Sequence, residues 1–265
     1  MAVIGKYTPG AFCWADLGTT DPQAAKKFYG ALFGWSAKDM PMGQDMVYTM
    51  FQLEGQDAAA VYPLMKKQLS QGVPPHWLLY VSVEDAGAVA ARARELGGAV
   101  LAGPGDVPES GRFVVIRDPQ GAVFGAWQPG AHIGARIGQL PGTLCWSELV
   151  TSDTAAAKAF YAGLFGWVAA KSEIPGMAYT MFHAKDCAAG GMMELTEEMK
   201  GVPPHWMPYF QVADCEAAIE TAKASGGQVD FGPMDIPGVG RFAVLHDAQG
   251  GRFSIIRLAM AAATA

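Results

Sequence analysis

Apolar and polar positions along the first part of the chain predict a strand, a helix and three more strands. Residues 12–17 form a short apolar run that is typical of a strand. Asp21 and Pro22 then supply a helix N-cap and a proline at the first helical position, and Gly34 supplies the C-cap. One apolar face of the helix is formed by Ala25, Phe28, Tyr29 and Leu32. Three further strands are predicted at residues 35–38, 47–53 and 58–62.

The same order of elements returns in the next segment of the chain. Residues 77–83 predict a strand, and Asp85 caps a helix that the glycine pair at Gly97 terminates. A strand near residues 99–101 and a hairpin follow. The hairpin turns at the sequence Asp-Pro-Gln-Gly, which begins at Asp118 and has the residue types of a β-turn. The pattern is therefore one strand, one helix and three strands, twice over.

The whole pattern then occurs a second time. Residues 9–35 recur as residues 141–167, and the shorter strings YTMF, VPPHW and GRF recur downstream. A repeat of this length is an entire domain and not a unit of a solenoid. We therefore predict two copies of one fold, related by pseudo-twofold symmetry and joined by a glycine-rich linker. The predicted segments are copy 1 at residues 9–128, the linker at 129–142, and copy 2 at 143–258.

The composition is that of a compact globular protein and argues against several functions. Of the 265 residues, 51% are apolar and 17% are charged. The net charge of −6 and the scattered basic residues argue against nucleic-acid binding. We find no leader peptide, no membrane-spanning run and no CxxC pair among the four cysteines, so we expect a cytoplasmic protein. The protein could be a monomer or a homodimer.

Two strings in the sequence carry a resemblance to a known family. The first is Asp-Pro-x-x-Ala-x-x-Phe-Tyr-x-x-Leu-Phe-Gly-Trp from Asp21, and the second is Arg-Asp-Pro-Gln-Gly-Ala from Arg117. They resemble the vicinal oxygen chelate superfamily, which includes glyoxalase I, bleomycin-resistance proteins and extradiol dioxygenases. The resemblance covers nearly the whole chain in both copies. It implies an α+β fold of two tandem glyoxalase-like domains, each a pair of βαβββ modules whose sheet curls around a cavity.

The resemblance also implies where metal ligands would stand. Those positions are occupied by Trp14, Leu78 and Gly125 in copy 1 and by Trp146, Met207 and Ser254 in copy 2. Indole, alkyl and thioether groups are poor ligands for the metals of this family. We therefore expect no cofactor. A divalent metal remains the alternative because His76 and His205 lie two positions before an expected ligand, with the same strand parity. They could equally be histidines that pack at the strand entry.

Strand parity selects further candidates for a ligand site. Trp14 and Trp146 should face the cavity, either as its aromatic wall or as a plug that fills it. Asp16 and Glu148 have the same parity as these tryptophans, and so does Phe12. The two carboxylates could bind a polar group or act as bases, or they could be solvated strand ends. The opposite parity places Cys13 and Cys145 against the helices.

Other polar side chains are weaker candidates. Four strand tyrosines could offer hydroxyl groups to a ligand or could simply pack: Tyr48, Tyr80, Tyr179 and Tyr209. Arg112 and Arg241 could bind a carboxylate or form surface ion pairs. Glu194, in a methionine-rich strand of copy 2, could anchor a ligand there, which favours copy 2 as the binding copy.

These observations favour binding of a small, partly aromatic or polar organic molecule in a metal-free cavity, for example by sequestration. The first alternative is an enzyme, namely a lyase, a dioxygenase or a hydroxylase. Such an enzyme would use non-standard metal ligands or would act without a cofactor. The tandem arrangement resembles a group that is loosely described as hydroxylases. The second alternative is a non-catalytic scaffold. No catalytic residue is assigned.

Overall fold

The computed structural model describes residues 2–43, 46–172, 178–185 and 187–259. After β1 (Ala2–Val3), the first module of copy 1 contains β2 (Phe12–Thr19), α1 (Pro22–Phe33), β3 (Ser36–Pro41), β4 (Val47–Leu53) and β5 (Gln56–Pro63). The short helix α2 (Lys66–Ser70) leads to the second module. Its elements are β6 (His76–Ser82), α3 (Ala86–Glu95), β7 (Ala99–Val107), β8 (Gly111–Arg117) and β9 (Val123–Pro129).

Copy 2 repeats these elements after β10 (Ile137–Gly138), which pairs with β1. Its first module contains β11 (Leu144–Thr151), α4 (Thr154–Phe165), β12 (Val168–Lys171), β13 (Tyr179–Ala184) and β14 (Cys187–Glu194). A 3-10 turn at Glu197–Met199 follows. The second module contains β15 (His205–Gln211), α5 (Cys215–Ala224), β16 (Gln228–Ile236), β17 (Gly240–His246) and β18 (Arg252–Leu258).

Each copy forms one eight-stranded mixed sheet. The strand order is β3-β4-β5-β2-β6-β9-β8-β7 in copy 1 and β12-β13-β14-β11-β15-β18-β17-β16 in copy 2. In each sheet the first strands of the two modules pair antiparallel at the centre, β2 with β6 and β11 with β15. The predicted α+β fold of two tandem domains, each built from paired βαβββ modules, is therefore confirmed.

The helix termini form as the sequence predicts. Asp21 Oδ1 accepts hydrogen bonds from the backbone N–H groups of Gln23 and Ala24, each at 3.0 Å. The helix ends at Gly34, whose φ of 72° lies in the left-handed region that glycine adopts without strain. Asp153 and Gly166 perform the same roles in copy 2.

The two copies share one hydrophobic core between their helix-bearing faces, which we call the shared core. Tyr29 of copy 1 donates its hydroxyl proton to Asp247 Oδ2 of copy 2 at 2.9 Å. The equivalent Tyr161 of copy 2 donates to Asp118 Oδ2 of copy 1, also at 2.9 Å. Phe33 of copy 1 packs on Phe210 of copy 2, with the ring centroids 5.1 Å apart. These reciprocal contacts are those expected of the pseudo-twofold relation.

A β-bulge at the start of β2 changes which side chains share a face. The register shifts between Phe12 and Trp14, and Phe12 packs in the shared core with its ring centroid 4.9 Å from that of Trp206. Phe12 therefore does not share a face with Trp14, contrary to the parity prediction. The expected packing of Cys13 and Cys145 against the helices is also wrong, since Cys145 packs in the same cluster as Trp146. Cys13 packs beside Trp14, and its thiol donates to the carbonyl oxygen of Tyr80 at 3.4 Å.

Within the described ranges, no helix is long and apolar enough to cross a membrane.

Candidate functional site

On the sheet face opposite the shared core, four predicted site residues come together in each copy. We call Trp14, Asp16, Tyr48 and Tyr80 tetrad 1, and their equivalents Trp146, Glu148, Tyr179 and Tyr209 tetrad 2. Strand alternation explains the placement, because Ala15 and Leu17 point from the same strand into the shared core.

In tetrad 1 the hydrogen bonds converge on the carboxyl group. Trp14 Nε1 donates to the Tyr48 hydroxyl at 2.9 Å. Tyr48 in turn donates to Asp16 Oδ2 at 3.0 Å, and Tyr80 donates to the same oxygen at 3.1 Å. Both tyrosine protons are therefore directed at Asp16, so the tyrosine oxygens present lone pairs elsewhere.

Tetrad 2 repeats this network with a longer acid. Trp146 Nε1 donates to the Tyr179 hydroxyl at 2.8 Å, and Tyr209 donates to Glu148 Oε1 at 2.8 Å. Tyr179 also forms a hydrogen bond to Glu148. The repetition shows that the network is a property of the fold in both copies and not of one loop.

Both carboxyl groups are buried, so the alternative of solvated strand ends is wrong. Asp16 is 3% exposed and Glu148 is 7% exposed. Burial raises the pKa of Asp16 to about 7, although the hydrogen bonds from Tyr48 and Tyr80 oppose the shift. Burial raises the pKa of Glu148 in the same way. Asp16 Oδ1 has no hydrogen-bond partner among the described residues and is shielded from solvent.

Two glycines provide the space for the tyrosine rings. A Cβ atom added to Gly125 would overlap ring carbons of Tyr80, and one added to Gly191 would overlap the Tyr179 hydroxyl. Gly125 stands where the family resemblance places a carboxylate ligand, so in copy 1 a tyrosine ring lies over this position. In copy 2 the corresponding Ser254 is fully buried and lies in register with Tyr209.

Trp14 and Trp146 differ in how far other residues shield them from solvent. The linker places His132 edge-on against Trp14, with the ring centroids 4.6 Å apart, and Trp14 is only 4% exposed. Trp127 holds this segment by donating from Nε1 to the carbonyl oxygen of His132 at 2.8 Å. Trp146 has intermediate exposure. The sequence assigns residues 129–142 only as a linker, and it contains no signal for the position of His132 over tetrad 1.

The other predicted site residues lie outside the tetrads. Nδ1 of His76 is 2.8 Å from the carbonyl oxygen of Pro74, and His205 makes the same contact with Pro203. Burial lowers the pKa of each imidazole. These contacts match the predicted alternative of histidines that pack at the strand entry.

The two arginines form ion pairs near the surface. Arg112 Nε is 3.5 Å from Asp106 Oδ1. Arg241 pairs with Glu216 at 2.6 Å and with Asp235 at 2.8 Å. Neither arginine contacts Asp16 or Glu148 through these ion pairs. The contacts match the predicted alternative of surface ion pairs.

Glu194, predicted as a possible ligand anchor in copy 2, does not lie with tetrad 2. Glu194 is exposed at the end of β14. Strand alternation puts it on the same face as Met192, which is fully buried in the shared core. It therefore cannot anchor a ligand beside tetrad 2, and the sequence-based preference for copy 2 loses its main support.

The residues present do not fit the metal that the family resemblance implies. Each tetrad offers one carboxyl group, two phenols and one indole, whereas the family metals require imidazole or several carboxylate ligands. In the part of the chain that the structure describes, no three His, Cys, Asp or Glu side chains are grouped to hold a metal ion.

Comparison with known proteins agrees with the fold. The model of the Glyoxalase/Bleomycin resistance protein/Dioxygenase superfamily matches residues 12–125 and again residues 142–255. CFP32 of Mycobacterium tuberculosis (strain CDC 1551 / Oshkosh), provisionally named a glyoxylase, is 44% identical over 97% of this chain and 98% of its own length. The anthracycline biosynthesis protein DauV of Streptomyces sp. (strain C5) is 36% identical over 96% of this chain and 95% of its own length.

Solved structures with low sequence identity share the fold. A Mn(II)-bound glyoxalase from Novosphingobium aromaticivorans has a TM-score of 0.64 at 13% identity, covering 94% of this chain and 82% of its own. The substrate complex of homoprotocatechuate 2,3-dioxygenase from Brevibacterium fuscum with 3,4-dihydroxyphenylacetate has a TM-score of 0.63 at 14% identity, covering 94% and 81%. With the two family matches and the relatives of similar length, these findings show that the chain belongs to the glyoxalase/bleomycin resistance protein/dioxygenase superfamily and consists of two tandem domains of that family.

Proposed function

We propose that the protein binds a small, planar, partly aromatic organic molecule over tetrad 1, without a metal. The observation that carries this proposal is the repeated network of indole, phenol and buried carboxyl groups, in which only the indole occupies a ligand position of the family. Buried hydrogen bonds fix the directions of the two tyrosine hydroxyls, and a pocket with aromatic walls and a few fixed polar groups is the usual form of a small-molecule site.

Copy 1 suits a ligand better than copy 2. Tyr48 and Tyr80 are only partly buried, and the partly buried Met50 and Phe113 pack in the same cluster. A ligand can therefore contact aromatic and thioether surface beside the hydroxyl groups. In copy 2 both tetrad tyrosines are buried, and both are hydrogen-bonded to Glu148.

The direction of the hydrogen bonds limits the chemistry of the ligand. Tyr48 and Tyr80 both donate their protons to Asp16, and Tyr48 also accepts from Trp14, so Tyr80 is the tyrosine that offers a lone pair to a bound molecule. A neutral hydroxyl donor, such as a phenol, complements this arrangement, whereas the buried carboxyl group disfavours an anion. The relative named for anthracycline biosynthesis supports a planar, hydroxylated aromatic molecule.

A cofactor-free acid–base enzyme is the second candidate, and the Asp16 carboxyl group favours it. Its pKa of about 7 lies near the value at which a general acid or base works best at neutral pH. Catalysis would require a shift of the tyrosines, because both oxygens of the carboxyl group are shielded or occupied in this structure.

Replacing Tyr80 by Phe should weaken binding of 2-hydroxyanthracene, a neutral planar phenol whose hydroxyl is free to donate, by about five- to tenfold, the effect of one hydrogen bond. The binding constant can be measured by quenching of tryptophan fluorescence. Tyr209→Phe makes the same chemical change in tetrad 2 and should leave the affinity unchanged. Equal losses in the two variants, or a loss only in Tyr209→Phe, would place the ligand elsewhere.

Protein purified without chelator should contain less than about 0.1 equivalent of Zn, Mn, Ni or Fe, because the tetrads lack suitable ligands. Elemental analysis before and after incubation with Mn²⁺ provides the measurement. About one equivalent of tightly held metal, whose removal by chelator abolishes 2-hydroxyanthracene binding, would contradict the metal-free proposal.

A further inference from the structure

A cavity of about 350 Å³ lies at the junction of the two copies. It touches tetrad 1 only through Trp14 and does not include tetrad 2. Phe12 of copy 1 and Leu144 of copy 2 form part of its wall, Ile4 of the N-terminal segment and Gln139 of the linker also line it, and one side opens to solvent. Its size is within the range of sites for small molecules.

Hydrogen bonds hold the covering segments of this junction cavity in place. Strands β1 and β10 pair antiparallel. Tyr7 donates from its hydroxyl to the carbonyl oxygen of Ala135 at 2.9 Å, and Ala135 N donates to the carbonyl oxygen of Cys13 at 2.8 Å. The N-terminal segment is therefore tied to the linker, and the linker to β2. The cavity is bounded by these paired segments and not by a loose loop.

The wall of the junction cavity is mainly apolar and carries no charged side chain. Its polar groups include the amides of Gln139 and Gln211, and neither side chain has a hydrogen-bond partner in the described part of the chain. Gln139 also has a φ of 62°, a left-handed conformation that is unfavourable for a residue with a side chain. Gln139 is exposed and Gln211 is half-buried, so the Gln211 amide is the better shielded of these two polar groups in the mainly apolar wall.

The thiols at the cavity are not reactive groups. Cys145 donates to the carbonyl oxygen of Tyr209 at 3.3 Å, as Cys13 does to Tyr80. Burial raises the pKa of Cys145 to about 12 and that of Cys13 further. Both sulfur atoms therefore act as neutral parts of the wall.

We propose that the junction cavity is a second ligand site, for a neutral bicyclic aromatic molecule with one hydroxyl or carbonyl group. An apolar cavity of about 150 Å³ accommodates benzene, so a volume more than twice as large suits two fused rings. The amides of Gln139 and Gln211 can each donate or accept one hydrogen bond. An anion is disfavoured because the uncharged wall offers nothing to offset the hydration that the anion loses on binding.

Calorimetric titration of the full chain with naphthol tests this proposal, with naphthoate as the charged probe of the same size. Because a phenol can also bind over tetrad 1, the titrations are made on the wild type and on Tyr80→Phe, which weakens that site. In Tyr80→Phe we expect one equivalent of naphthol to bind at the junction cavity and naphthoate to bind at least about tenfold more weakly. Adding Leu144→Trp fills the cavity and should abolish this binding, whereas adding Tyr209→Phe should leave it unchanged.

Gln211→Leu keeps the approximate size of the side chain but removes the amide, and should weaken naphthol binding about five- to tenfold. Circular dichroism should show that each variant remains folded. If Leu144→Trp does not fold, the affinity of Gln211→Leu for naphthol decides whether naphthol binds in the junction cavity. The proposal is overturned if naphthol does not bind, if naphthoate binds equally well, or if binding is unchanged in every folded cavity variant.

Discussion

Replacing Tyr161 by Phe should lower the free energy of unfolding by about 2–4 kcal/mol, because it leaves two buried polar groups without a partner. The Tyr161 hydroxyl donates to Asp118 Oδ2 in the other copy and accepts from Trp206 Nε1 at 2.8 Å. Tyr161 is fully buried, so water cannot replace the lost hydroxyl without a change in packing. The loss can be measured by urea denaturation with fluorescence detection.

Two further variants show whether this loss comes from the link between the copies. Tyr29→Phe removes the equivalent hydroxyl, which donates to Asp247 and accepts from Trp77 at 3.1 Å, and should cost a similar amount. Tyr7→Phe removes one partly buried hydrogen bond and should cost about 1 kcal/mol or less. If Tyr161→Phe were no less stable than Tyr7→Phe, these hydroxyls would not stabilise the contact between the copies.

The shared core also explains why one chain carries both copies. Trp35 donates from Nε1 to the carbonyl oxygen of Gly142 at 2.8 Å, and Trp167 donates to that of Gly10 at 2.9 Å. Copy 1 is therefore hydrogen-bonded to the end of the linker, and copy 2 to the start of copy 1. We expect fluorescence and circular dichroism to report one common unfolding transition, as in a single cooperative unit.

The sequence predicts most of the fold because its signals are local and occur twice. Asp21 and Gly34 mark the ends of a helix through their own backbone chemistry, and the second copy repeats both signals. Alternation along β2 also places Trp14 and Asp16 correctly on the face opposite the shared core. The residues of the tetrads could therefore be selected without a structure.

The remaining features depend on tertiary structure. The β-bulge at Cys13 shifts the register by one residue, and no residue type in the strand predicts it. Strand parity predicts the face of the sheet on which the Asp16 side chain lies, but not how far that side chain is buried. The sequence therefore could not distinguish a buried carboxyl group from a solvated one. The position of His132 over Trp14 follows from the path of the linker across copy 1. Gly125 looked like a lost ligand, but its lack of a side chain makes room for Tyr80.

Between about pH 5 and pH 8, Asp16 should lower the free energy of unfolding of the wild type by roughly 2–3 kcal/mol as the pH rises. Asp16→Asn should remove this pH dependence. Burial raises the pKa of Asp16 from its ordinary value of 3.8 to about 7 in the folded protein. Between these values the unfolded chain releases the proton while the folded protein keeps it. Stability from this group is therefore complete below about pH 4 and is lost as the pH rises through about 7.

The pH dependence, and not the absolute stability, is the quantity to compare between Asp16→Asn and the wild type. The variant can be less stable than the wild type at every pH. Its N–H₂ group would take the place of Asp16 Oδ1, which has no hydrogen-bond partner, and would therefore be a buried donor without an acceptor. Urea denaturation at several values between pH 5 and pH 8 should give a steeper fall for the wild type. Glu148→Gln should flatten the curve in the same direction, since burial also raises the pKa of Glu148. Parallel curves for the wild type and Asp16→Asn would mean that Asp16 ionises in the folded protein as it does in water, and that Tyr48 and Tyr80 stabilise its charged form fully.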